Sequence, residues 1–92
     1  MSEEEPSGET EPVTLAGLVD RACDRFEADW RAGRRPRIEE YLDDTPEQGR
    51  PTLLRELVLL ELEFRRREGE RPTLQEYRVR FPEHNASLDS IL

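Results

Sequence analysis

The chain has 92 residues, of which 34% are apolar and 39% charged, with a formal net charge of -8. That length allows one domain at most and a thin core. The acidic balance argues against nucleic-acid binding, which needs a net positive face; the single cysteine, Cys23, excludes an internal disulfide or a zinc site; and no apolar run suits a signal peptide or a membrane span.

Residues 1–12 hold five glutamates and no basic residue. With no large apolar side chain beyond Met1, they are expected to form a disordered acidic tail. Residues 13–92 then make a single helical domain, nearly balanced in charge, in which every basic residue is arginine. Thr14 is a candidate N-cap. Leu15, Leu18, Val19, Ala22, Phe26 and Trp30 recur at three- and four-residue steps, one face of an amphipathic helix. Gly33 is the expected stop and Pro36 the restart. A short helix with Ile38, Tyr41 and Leu42 follows, and 43–49 reads as a turn. Pro51 opens a second long helix, to about Glu68. Its apolar face is wide: Leu53, Leu57, Leu60 and Phe64, beside Leu54, Val58 and Leu62, with Leu59 added. That width makes it the expected central helix. Gly69 stops it. Thr73 and Glu76 stand at capping-box spacing before a short helix with Leu74, Tyr77 and Phe81. Pro82 leads into a last helical turn or two, with Leu88, Ile91 and Leu92 on its apolar side.

The order long helix, glycine, proline, short helix is written twice. At an offset of 36, residues 31–47 and 67–83 share eight identities in seventeen positions. The units span about 15–50 and 51–86. Each has an apolar stripe that it cannot bury alone, so two copies should cover each other. The expected fold is an all-α bundle of two repeated units plus a C-terminal helical turn. Its expected core anchors are Phe26, Tyr41, Leu57, Leu60, Phe64 and Tyr77.

Little in the pattern points to chemistry. The carboxylates mostly alternate with arginines, as on a solvated helix face. Asp43-Asp44 has no fuller calcium loop behind it. His84, the only histidine, has no nucleophile near it in sequence. There is no phosphate-binding glycine loop. No catalytic, cofactor-binding or metal-binding residue is assigned, and the chain is not expected to be an enzyme.

The runs DRFEADWRAGRRPRIEEYL and PTLLRELVLLELEFRRREGERPTLQEYRVRFPEH resemble the helical segment that precedes the kinase domain in planctomycete serine/threonine protein kinases. The likeness covers about Leu15 to Leu92. Its most specific marks are Phe26-Glu27, Trp30-Arg31-Ala32-Gly33, Arg35 through Leu42, and Glu70 to Thr73 with Tyr77 and Phe81 to His84. The family's catalytic residues lie outside this segment, so none carries over. The lack of a signal or membrane run makes a cytoplasmic location the expectation, and the resemblance implies a small bacterial accessory module that contacts a protein partner: the kinase domain in cis, or a second copy as a homodimer. A free-standing adaptor or inhibitor acting in trans is the other reading. Candidate contacts are Arg34, Arg35 and Arg37, which could also receive a phosphorylated segment, the exposed Glu/Arg face of the second long helix, and any exposed part of Trp30.

Overall fold

Thr14 begins the first helix as expected: its hydroxyl accepts the Gly17 N–H at 3.0 Å in the computed structural model, which describes residues 14–91. The expected disorder of residues 1–12, and the place of Leu92, lie outside the described residues. Helix α1 is Leu15–Arg31 and α2 is Ile38–Asp43. A 3₁₀ turn, Glu47–Gly49, leads into α3, Arg50–Arg67. Pro51 sits in the first turn of α3, where its missing N–H has no intrahelical partner to lose. Helix α4 is Leu74–Arg80; a second 3₁₀ turn, Pro82–His84, precedes α5, Asn85–Asp89. Among the described residues no strand forms, and the chain is a small all-α bundle.

Both long helices end in the same way. Gly33 and Gly69 lie at φ 88° and 91°, the left-handed region open to glycine. After α1, the Gly33 N–H reaches the Trp30 carbonyl and the Arg34 N–H the Asp29 carbonyl, each at 3.0 Å. After α3, Gly69 reaches Arg66 at 3.0 Å and Glu70 reaches Arg65 at 2.9 Å. These paired bonds satisfy carbonyls that a helix end leaves without partners. They recur 36 residues apart. Of the T-x-x-E capping box at Thr73, one half is made: the Thr73 hydroxyl accepts the Glu76 N–H at 3.3 Å, while the Glu76 carboxylate turns to Arg65 at 3.0 Å.

Helices α1 and α3 run parallel. At their starts, Leu15 comes against Gly49. At their ends, the Trp30 ring stacks on Phe64 at 5.5 Å between centroids. Helix α3 packs on α1, α2 and α5 and so occupies the centre. The core holds Phe26, Ile38, Leu53, Leu54, Leu57, Val58, Phe64, Tyr77 and Leu88. Tyr41 and Leu60 are anchors at the core's edge, partly buried against it. Two stripe positions face solvent more than their periodicity implied: Leu15 is 42% exposed and Leu59 43%. Leu15 stands on the first turn, beyond most of the partner helix, and Leu59 lies on a face of α3 that no other helix covers. Phe81 terminates α4 as its C-cap and is buried there.

Candidate functional site

The arginine loop, expected to be a contact surface, is engaged with the chain's own carboxylates. Arg34 donates to Asp29 at 2.8 Å. Arg35 reaches Glu68 at 2.5 Å and Glu70 at 2.6 Å, joining the loop after α1 to the loop after α3. Its guanidinium also lies 5.0 Å from the centre of the Trp30 ring. Arg37 is held most loosely, 4.0 Å from Glu39 and mostly exposed. To receive a phosphate, Arg34 and Arg35 would have to exchange these carboxylates for it.

Trp30 requires a correction. It offers little surface to a partner: it is 7% exposed, stacked on Phe64, and its Nε1–H donates to Glu68 at 2.9 Å. The reason is α3, whose last turn lies alongside the last turn of α1 and covers the ring. Trp30 is a core residue with a satisfied polar edge.

The loops and the long helices enclose a cleft of about 300 Å³, with Arg35, Glu61, Arg65, Glu70 and Arg80 on its walls. Glu61 is buried at its base. It accepts from the Tyr77 hydroxyl at 2.5 Å and from Arg80 at 2.9 Å. Arg80 also grips Glu39 of α2, at 2.9 and 3.1 Å. Arg65 donates to the Tyr77 oxygen at 3.1 Å and to Glu70 at 2.8 Å. One connected network thus ties α2, α3, α4 and both glycine loops. The hydrogen bond from Arg80 holds the Glu39 carboxyl below its ordinary value, and Arg35, then Arg65, do the same for Glu70. Burial, then the bond to Glu61, pushes the Tyr77 hydroxyl up.

Apart from Arg35 and the anchor Tyr77, none of the residues of this network is singled out as a site or anchor by the sequence, although a signal is there. At the offset of 36, four charged positions reverse sign: Arg25 against Glu61, Asp29 against Arg65, Arg34 against Glu70, Asp44 against Arg80. The geometry repeats with the signs exchanged. Arg34–Asp29 and Glu70–Arg65 are equivalent ion pairs, both at 2.8 Å. Tyr41 donates to Asp29 at 3.1 Å, while Tyr77 accepts from Arg65 at 3.1 Å. A hydroxyl can do either, which is why tyrosine suits both units.

A second concave feature is the groove between α1 and α3, about 600 Å³. Ala16, Val19, Cys23 and Thr52 line it, with Asp20, Asp24 and Glu56 around them. Burial, then Glu56, Asp20, Asp24 and Glu27, push the Cys23 thiol up to about 11. At neutral pH it is a protonated, unreactive group. His84 lies in a third cleft, with Glu39, Asp43, Arg50 and Arg80. Among the described residues, no three His, Cys, Asp or Glu side chains are grouped to hold a metal ion, and no helix is long and apolar enough to cross a membrane.

No family model matches the sequence, and no curated protein or solved structure matches it significantly.

Proposed function

We propose that the chain is a non-catalytic helical module that regulates a bacterial serine/threonine protein kinase by protein–protein contact. The kinase link rests on the sequence resemblance. The observation that carries the contact reading is the α1–α3 groove, an open concavity on the two longest helices. Many of the ionisable groups elsewhere are spent on internal pairs, which leaves this groove, about 600 Å³ among the described residues, as a concave surface for a partner. A homodimer has less to support it. Among the described residues the large exposed apolar side chains, Leu15, Leu59 and Val79, sit on three different helices, whereas a stable dimer buries a contiguous face.

The test is autophosphorylation of the kinase encoded in the same reading frame or beside it, with and without this module. A change of threefold or more in rate, in either direction, is the expected result. An unchanged rate at saturating module, with no complex on gel filtration, sinks the reading.

A further inference from the structure

The groove between α1 and α3 has the wrong charge for any segment of this chain's leader. Its floor is made of short side chains, Ala16, Val19, Cys23 and Thr52, which let another backbone come close. Asp20 and Asp24 stand one turn apart on its α1 side, and both are exposed. Among the described residues neither lies within ion-pair distance of a cation, although Arg21 is their neighbour on the helix. Glu56, on the α3 side, has only a loose pair with Arg55 at 3.7 Å. This contrasts with Arg34, Arg35, Arg65 and Arg80, each of which lies within 3.0 Å of a carboxylate. The residues that precede α1 hold five glutamates and no base, so they cannot neutralise the groove. Leu59, 43% exposed, lies on the same face of α3 as Thr52 and Glu56, about one turn further on. From Ala16 to Asp24 the lining spans about 12 Å of helix, two turns.

We infer that this groove docks a basic amphipathic helical segment of a partner polypeptide. Its apolar side chains settle over Val19 and toward Leu59, and its Lys or Arg residues meet Asp20, Asp24 and Glu56. This is the helix-in-groove mode of recognition, with apolar anchors at three- and four-residue spacing. Charge selects the occupant. The leader would set like charge against like, and a second copy carries a net charge of -8. A basic partner gains both encounter rate and orientation from these weakly engaged carboxylates.

The inference rests on the contact reading above, and one experiment separates the two. The whole chain, isotope-labelled, is titrated with a 14-residue amidated peptide of leucine and lysine whose leucines form one helical face. A scrambled peptide of the same composition and a leucine–glutamate peptide are the controls. The expected result is amide shifts centred on residues 16–24 and 52–59, with negligible binding of both controls. D20N/D24N and, separately, T52W should each weaken the affinity at least tenfold. D43N/D44N, which removes two exposed carboxylates elsewhere, should change it less than twofold. Equal binding of the scrambled peptide, shifts spread over the acidic surface, or no binding overturns the inference. Concentration-dependent broadening of the groove residues without peptide overturns it too, by giving the groove to a second copy. Should the peptide fail while the module still alters kinase autophosphorylation, the groove assignment falls and the regulatory reading stands. Should the peptide bind at the groove while the kinase is unaffected, the groove stands and the kinase link falls.

Discussion

Glu61 is 4% exposed and carries a carboxylate into the interior. It is tolerated there because Tyr77 and Arg80 both donate to it, at 2.5 and 2.9 Å. A buried ion pair contributes little net stability over a well-packed apolar pair, but removing one member leaves the other without its partner. Glu61→Ala is expected to cost about 3 kcal/mol, toward the low end for a broken buried pair because Arg80 keeps Glu39. Tyr77→Phe removes two hydrogen bonds, the one to Glu61 and the one from Arg65, but leaves Glu61 with Arg80 and Arg65 with Glu70, so it should cost about 1–2 kcal/mol. Urea unfolding followed through Trp30 fluorescence measures both. Equal costs for the two variants would show that the Glu61 charge is not held by Arg80.

At the scale of the helix, the two glycine stops are equivalent in geometry and in surroundings. Both lie at positive φ, and a Cβ at either would meet nothing within 4 Å. The cost of a side chain there is therefore backbone strain alone, about 1–2 kcal/mol. Gly33→Ala and Gly69→Ala should destabilise by the same amount within error. Gly49→Ala is a different case: its backbone is ordinary, but the new Cβ would sit 3.3 Å from both Leu15 and Thr45. Denaturation midpoints of the three variants check this. A cost at Gly69 several times that at Gly33 would mean that the second loop carries the more strained turn. The glycine stops and Thr14 were legible in the sequence because caps act over three or four residues, where residue type alone sets the geometry.

Across the whole molecule, the ion-pair network makes stability depend on pH. Glu39 and Glu70 have folded values below their ordinary ones, because arginines bind their charged forms. Such groups add stability above the unfolded carboxylate value, about 4.3, and that stability is lost as pH falls through the lowered folded value. The urea midpoint is therefore expected to hold steady from pH 7 to about 5 and to decline below about 4. Glu39→Gln, which removes one titrating carboxyl, should make the acid slope shallower. An unchanged slope would mean that the Arg80–Glu39 pair survives unfolding or never forms.

The sequence alone determined the helices, their stops and the stripes that face the core, since each depends on residues three or four apart. The 36-residue repeat also stood in the sequence, and with it the sign reversals at four positions. What only the tertiary structure decided is which charges meet. Arg35 finds Glu68 and Glu70 across 33 and 35 residues, and Arg80 finds Glu39 across 41. Such pairings arise because α3 lies parallel to α1 and brings the two loops together. The same arrangement covered Trp30, the last residue of the apolar stripe of α1, by setting Phe64 against its ring. It also left the groove by Asp20 and Asp24 open, since no charge within three or four residues of them on α1 closes onto them. Periodicity says which side of a helix is apolar; the crossing of two helices decides what that side, and every charge beside it, will touch.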